Sequence, residues 1–380
     1  MLRRSLLVGL LVNVLVICGC SESPADPDLG SDPTDPAGTV QAAVESFRTA
    51  HPHVLSAVGL IQQANGQLAE GFEGFLDESR TTAIGPDTRF SIGSITKTFT
   101  ATMVLQLTEE GLVGLDEPLA LYVSPAWSAV LDSIQYGQEV TVRQALGHRS
   151  GIYDYLISPL QAEILADPSR TYTPLEAFRH VKDGPPDFPP GTEFNYSNTN
   201  FLILGNVVEN MTRQSYNEAL RARILSPVGM VNTFMFDGST ASQRAGIAHS
   251  YATIGGGRFD VLDFSGAGWS LGVGGIISTA GDLVTFLRSL GSGQLFANSE
   301  TLDMMTDLGE NTWYGLGVQI DEQPFVGRCF GHGGYSFGST ANVRYCPATD
   351  VSFSAFYASD GVILGANLDI LDRILSAEFD

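Results

Sequence analysis

Residues 87–97 read Asp87-Thr88-Arg89-Phe90-Ser91-Ile92-Gly93-Ser94-Ile95-Thr96-Lys97. From Ser94 to Glu110 the spacing of Phe99, Met103, Val104 and Leu107 predicts a helix with one apolar face, and Gly111 is its natural stop. Positions three apart share a helix face, so Lys97 reaches the Ser94 hydroxyl. A helix N-terminus also carries unused backbone N–H groups, which suit a developing oxyanion. A serine hydroxyl is a weak nucleophile until a base takes its proton, and a lysine is such a base once burial lowers its pKa. Only one other lysine, Lys182, occurs in the chain. By itself Ser-x-x-Lys is weak, and a capped helix with an exposed lysine would look the same.

Upstream, Val54–Gln62 and Gln67–Leu76 read as two strands joined at Ala64-Asn65-Gly66, a hairpin signal. Downstream, residues 113–265 are punctuated by Pro and Gly, with helical stretches at Asn200–Thr212 and Tyr216–Leu225. Thr279–Leu290 is a further helix candidate. The β-like runs Tyr314–Ile320, Val326–Phe330, Ser339–Tyr345 and Val351–Tyr357 follow, and an amphipathic helix from about Leu364 to Phe379 closes the chain. Strands at both ends with helices between predict an α/β (α+β) sheet layer with a helical insertion, in one integrated unit.

Two further motifs bear on chemistry. Tyr196-Ser197-Asn198 follows Phe188-Pro189-Pro190-Gly191-Thr192. A phenol relays protons once nearby positive charge lowers its pKa, and an amide holds a substrate carbonyl. His332-Gly333-Gly334 falls on a late strand, where glycines let a substrate backbone lie along the strand edge. Each has an ordinary reading, a turn before a helix and a glycine-rich hairpin with a surface histidine. Gly268–Gly272 and Gly334–Gly338 match Gly-x-Ser-x-Gly around Ser270 and Ser336. Neither has the buried preceding strand of a nucleophile elbow together with a triad in the expected order. His51-Pro52-His53 makes a poor metal site, and neither His-Glu-x-x-His nor a phosphate-binding Gly-rich loop occurs.

The 380 residues are 43% hydrophobic, enough for a sizeable core, and 20 basic against 42 acidic residues leave a net charge of -22. That balance argues against a nucleic-acid binder. Four cysteines are too few for a disulfide-built scaffold and fit no zinc site.

Arg3 and Arg4 precede an apolar run from Leu6 to Ile17, too short to span a bilayer but suited to a signal segment. The run ends Ile17-Cys18-Gly19-Cys20, which resembles a bacterial lipoprotein signal, with ordinary secretory cleavage as the alternative. By that resemblance residues 1–19 are removed and Cys20 is lipidated. Residues 20–43, rich in Pro and Asp, are expected to be an extended, solvated tether, and 44–380 the folded body. The expected place is the cell envelope, on its periplasmic or extracellular face, with the membrane met only through the lipid.

Taken together, Ser94-x-x-Lys97, Tyr196-x-Asn198 and His332-Gly333-Gly334, in this order, resemble the penicillin-recognising serine hydrolases. The likeness is to class C β-lactamases and D-Ala-D-Ala carboxypeptidases in particular. Leu115-Asp116-Glu117-Pro118, Leu146-Gly147-His148-Arg149-Ser150-Gly151, Pro227-Val228-Gly229-Met230 and Gly274–Ala280 are similar to landmarks of that family, and the match runs from about residue 44 to the end. The resemblance implies an antiparallel sheet flanked by helices, a mostly helical second lobe, and a site between them. It also implies that Ser94 is acylated and that Lys97 and Tyr196 manage its proton. Asn198 and His332, Gly333 and Gly334 would bind substrate. The backbone N–H groups of Ser94 and Tyr335 would hold the oxyanion. No cofactor or metal is implied.

One departure is that family β-lactamases usually carry Lys-Thr-Gly where this chain has His332-Gly333-Gly334. A histidine is charged only part of the time at neutral pH, so a titrating His332 would meet a substrate carboxylate. Histidine at this place resembles some D-Ala-D-Ala carboxypeptidases and related peptidases or esterases, and that resemblance implies a D-Ala-D-Ala carboxypeptidase on peptidoglycan stems. An esterase or weak β-lactamase is the alternative, and a silent binding or sensor protein is the alternative of another class. If Cys18 and Cys20 are accounted for by the signal, Cys329 and Cys346 remain. A hairpin turning near Phe337–Gly338 sets them opposite each other, as a disulfide or as two buried thiols.

Overall fold

The computed structural model describes residues 36–379, apart from 158–159, 161–162, 164–165, 168–169, 171, 238–240, 255–256, 265–269 and 362–365. The signal segment, Cys20 and most of the expected tether lie outside the described residues.

Six strands form one antiparallel sheet: β1 (Val54–Gln62), β2 (Leu68–Gly74), β3 (Gln319–Gln323), β4 (Gly327–Ser336), β5 (Ser339–Cys346) and β6 (Val351–Ser359). Their order across the sheet is β2-β1-β6-β5-β4-β3, so the first hairpin docks on the last strand, Val54 opposite Ser359. Alternation along β6 separates two cores. Phe353, Ala355 and Tyr357 face one way and Phe356 and Ala358 the other.

The back of the sheet is covered by two helices, α1 (Pro36–Ala50) and the last one, Ala366–Phe379. Val40, Ala43, Val44 and Phe47 of α1 are buried at i, i+3, i+4, i+7 spacing, which is why this segment is a helix. Among the described residues this helix takes in Pro36–Ala43, the end of the stretch expected as tether. The tether reading took Pro, Gly and Asp content as extended chain, and the apolar stripe that starts at Val40 overrides it. At Gly59 of β1 a methyl group would lie 2.5 Å from Ile374, so the glycine lets the closing helix sit down on the strand.

The front of the sheet carries the helices of the larger core. The central one, α2 (Thr96–Glu109), is buried on nearly every side, not on one face as its periodicity predicts. Its threonines make this possible, because Thr98 donates to Gly317 O (2.9 Å) and Thr100 to Gly272 O (2.9 Å). Beside it run α3 (Asn198–Thr212) and α4 (Ala280–Gly291), with short helices such as Pro125–Leu131 and Val142–Leu146 completing a helical lobe. The closing helix on the back face, Ala366–Phe379, is α5. The expected run Tyr314–Ile320 becomes strand only from Gln319, since Tyr314 turns inward and is fully buried. Cys329 and Cys346 face each other across β4 and β5 and form a disulfide, Cα to Cα 4.1 Å.

Candidate active site

Ser94 stands in the 3-10 turn Gly93–Ile95 that leads into α2. Its side chain is half-buried, while Lys97, one turn on, is fully buried. The Lys97 Nζ has three neighbours at hydrogen-bond distance: Ser94 Oγ (3.0 Å), Asn198 Oδ1 (2.9 Å) and the carbonyl oxygen of Val273 (3.1 Å). Burial lowers its pKa from the usual lysine range to about 7, partly offset by the charge of Asp154. At neutral pH a substantial share of Lys97 is therefore a free amine. A neutral amine has two N–H groups and one lone pair. The amide oxygen and the carbonyl can only accept, so they take the two hydrogens. The lone pair is left for the Ser94 hydroxyl, which is the arrangement a general base needs.

Tyr196 and Asn198 arrive on the segment that enters α3. Their path is fixed by the Leu146–Gly151 stretch. Ser197 N donates to His148 Nδ1 (3.1 Å), Asn195 N to His148 O (3.0 Å), and Ser150 Oγ to Asn200 Oδ1 (2.6 Å). His148 has φ +56° and its ring lies 4.1 Å from that of Tyr196. Tyr196 hydrogen-bonds Ser94, and Lys97 Nζ is 5.1 Å from its ring centroid. Burial nevertheless pushes the phenol pKa upward, contrary to the sequence expectation that nearby charge lowers it. Tyr196 is accordingly a protonated hydroxyl at rest, and Lys97 is the base.

Asn198 also does more than expected. Its Nδ2 donates to Asp154 Oδ2 (2.8 Å) while its Oδ1 accepts from Lys97. Both ends of the amide hold partners inside the protein, so it supports the base as well, and the second Nδ2 hydrogen of this half-buried residue remains for a substrate carbonyl. Asp154 is 6% exposed, and nothing in a lone Asp three residues past Gly151 marks it in the sequence as buried.

The other wall is β4. The edge strand β3 pairs with it only as far as Gln319 opposite Gly331, so the part beyond has no strand partner on that side among the described residues. Gly333 N donates outward to Gln319 Oε1 (3.0 Å). Residues two apart point their N–H groups the same way, so Tyr335 N points to the open side as well. It comes to rest beside Ser94. A methyl group at Gly93 (φ +50°) would lie 2.6 Å from Tyr335 N, and one at Gly334 would lie 1.8 Å from Ile92 O and 3.1 Å from Ser94 N. The two glycines thus bring together the backbone N–H groups of Ser94 and Tyr335, the expected oxyanion pair. Gly334 faces the nucleophile turn and not the substrate edge.

His332 lies on the same sheet face as Gly334 but is 1% exposed. Its Nδ1 sits 2.5 Å from Gly333 O and its Nε2 3.0 Å from the Tyr314 hydroxyl. A carbonyl only accepts, so Nδ1 carries the proton and Nε2 accepts from Tyr314. Burial, reinforced by Lys97, lowers its pKa to about 3. The expectation of a titrating imidazole aimed at a substrate carboxylate is therefore corrected. The ring is neutral and both nitrogens are engaged. Tyr314 had given no sign in the sequence of being its partner. Ser336 ends β4 on the hairpin and is no part of this cluster, and the stretch before Ser270 lies outside the described residues. Among the described residues no group of three or more His, Cys, Asp or Glu side chains is placed to hold a metal ion.

This constellation on a sheet with a helical lobe defines a class, and comparison with known proteins names it. The profile of the family described as Beta-lactamase matches residues 40–369, and the chain belongs to that family, as a serine hydrolase of the β-lactamase and penicillin-binding type. It is 29% identical over 359 residues to penicillin-binding protein 4 of Amycolatopsis lactamdurans, covering 88% of each chain. It is 28% identical over 338 residues to a D-aminopeptidase of Brucella anthropi, of whose length it spans 60%. Among solved structures it is similar to a D-stereospecific amidohydrolase from Streptomyces sp., with 29% identity, TM-score 0.75, and coverage of 90% of this chain and 98% of that one.

Proposed function

We propose that this chain is an amidohydrolase for D-amino-acid amides or short peptides, working through an acyl-enzyme on Ser94. Lys97 takes the Ser94 proton as Oγ bonds to the substrate carbonyl carbon, and the backbone N–H groups of Ser94 and Tyr335 hold the oxyanion. As the C–N bond breaks, the Tyr196 hydroxyl gives its proton to the leaving amine and is reprotonated from Lys97. Water, deprotonated by the same base, then releases the acid and restores Ser94.

The observation that carries the choice of substrate is the neutral His332. A terminal carboxylate lying along β4 would meet His332, whose nitrogens are taken, and Gln319, an uncharged amide. Nearby Arg344 is committed to Asp321 and Arg149 to Glu310. A substrate without a carboxylate at that end suits such a wall better than a D-Ala-D-Ala terminus. The names of the D-stereospecific amidohydrolase and D-aminopeptidase relatives support the same reading. The relative named for penicillin binding, which matches over most of both chains, supports a penicillin-recognising site as the second reading. Comparing kcat/KM for D-phenylalanine amide, an N-acylated D-Ala-D-Ala peptide, a p-nitrophenyl ester and nitrocefin tests the choice. The amide or the ester is expected to lead by about tenfold or more, the worth of one charge-assisted contact. A preference for the D-Ala-D-Ala peptide would reverse it.

We further propose export and lipid anchoring through Cys20. No described helix is long and apolar enough to cross a membrane. Full-length protein made in a bacterium is expected in the membrane fraction with acyl chains on Cys20. Wholly soluble, unmodified protein would mean plain secretion.

A further inference from the structure

We propose that Asp154 is a positioning residue for the base, fixing which way the Asn198 amide faces and so which way Lys97 presents its nitrogen to Ser94. The inference rests on the reading of Ser94 and Lys97 given above.

A carboxylate only accepts hydrogen bonds, and every contact of Asp154 fits that state. Its Oδ1 accepts from Leu156 N (2.9 Å), and its Oδ2 from Asn198 N (3.2 Å) and Asn198 Nδ2 (2.8 Å). Burial pushes the Asp154 pKa upward, and these three N–H donors together with the Lys97 charge work against that and favour the ionised form. The ionised group therefore demands the NH2 end of Asn198, which turns the amide oxygen to Lys97. Without that demand the amide is free to flip. An NH2 facing Lys97 would draw the amine's lone pair away from Ser94. The chain of dependence is Asp154 to Asn198 to Lys97 to Ser94, each link a hydrogen bond to a buried or half-buried group.

Asp154 also supplies charge. The groups facing the Lys97 amine come from several elements. Ser94 is on its own turn, Tyr196 and Asn198 enter α3, the Phe201 ring of α3 is 5.9 Å away, and the Val273 carbonyl comes from the Ser270–Gly274 turn. At longer range stand His148 and His332, both held neutral by burial and by Lys97 itself, and Asp154. Among the described groups that act on Lys97, Asp154 alone carries a negative charge, and its effect is to keep the ammonium from being suppressed further.

The experiment is the pH profile of kcat/KM, with the rate of fluorophosphonate labelling at Ser94, for wild type, Asp154→Asn and Asp154→Glu. Acylation needs the free amine, so activity rises with pH through the Lys97 pKa. Removing the Asp154 charge destabilises the ammonium and moves that rising limb to lower pH, by about one unit. The plateau falls about tenfold or more because the amine is no longer held in line. Asp154→Glu keeps the charge and keeps the limb near its wild-type position. Should Asp154→Asn not fold, Asp154→Ser removes the same charge with a smaller group and carries the same expectation. A variant that loses thermal stability and activity equally at all pH values, with the limb unmoved, overturns the proposal and leaves Asp154 a structural residue. A wild type with no limb that depends on Lys97 overturns the reading of the base, and this proposal with it.

Discussion

The Lys97 amine lies 3.0 Å from the Ser94 hydroxyl, and the two residues share one turn at the head of a helix buried on nearly every side. Burial of that helix supplies the chemistry, since a lysine in the same geometry on the surface would stay charged and could not take a proton.

With a Lys97 pKa of about 7, kcat/KM is expected to climb as pH rises from 6 to 8 and then level off. Lys97→Arg, which cannot shed its charge, should lose the limb and about 10²–10⁴ in rate. Ser94→Ala should abolish fluorophosphonate labelling with little change in thermal stability. Label recovered on Ser270 or Ser336 would contradict the assignment.

Gly334→Ala probes the fit of β4 against the nucleophile turn. The added methyl would lie 1.8 Å from Ile92 O, so strand and turn must separate. A shift of about 1 Å at this point is expected to cost about 10²-fold in kcat. Near-normal kcat in a folded Gly334→Ala protein would show that the Ser94 and Tyr335 N–H groups do not act as a pair.

His332, with a pKa of about 3, should produce no step in carboxylate binding between pH 5 and 8. The sign is simple. The proton that would attract a carboxylate is already lost well below that window. Titrating KM for one carboxylate-ended and one neutral substrate side by side, in wild type and His332→Gln, checks this, and a carboxylate-specific step near pH 6.5 that is lost in His332→Gln, and so is not the Lys97 titration, would restore a charged imidazole. Tyr314→Phe, which removes the hydroxyl at Nε2, is expected to lower kcat more than it raises KM, because it loosens the wall beside Tyr196.

The body of the protein should hold no free thiol when titrated unreduced and denatured, since Cys329 and Cys346 are bonded across β4 and β5. Replacing both with alanine is expected to cost about 3 kcal/mol for a loop of this size, read from the shift of a denaturation midpoint. Activity of the folded double variant should persist, because the bond lies at the end of β4 remote from Tyr335.

The elements legible in the sequence were those marked by local signals. Asn65-Gly66 announces the first hairpin, and the hydrophobic spacing after Ser94 announces α2. The equal offsets of Cys329 and Cys346 from Phe337–Gly338 announce the register of β4 and β5. What escaped was set by burial, which no local pattern carries. Tyr196 and His332 have pKa directions opposite to, or far from, those expected from residue type, because both are enclosed by other rings. Asp154 is an ordinary acid in the sequence and becomes the anion behind the site only when the loop after Gly151 folds under Asn198. The start of α1 escaped for a different reason, because the stripe Val40, Ala43, Val44, Phe47 overlaps a stretch whose composition favours extended chain.

The docking of β1 beside β6 has a consequence for how the molecule is made. Strand β1 is among the first parts of the body to be synthesised and β6 among the last, yet they are neighbours, Val54 against Ser359. The sheet cannot close, and α1 cannot find its place against α5, until almost the whole chain has been delivered. Such long-range pairing slows folding and holds the polypeptide open during synthesis. The same arrangement makes late truncations severe, because losing β6 leaves the first hairpin with no sheet to join.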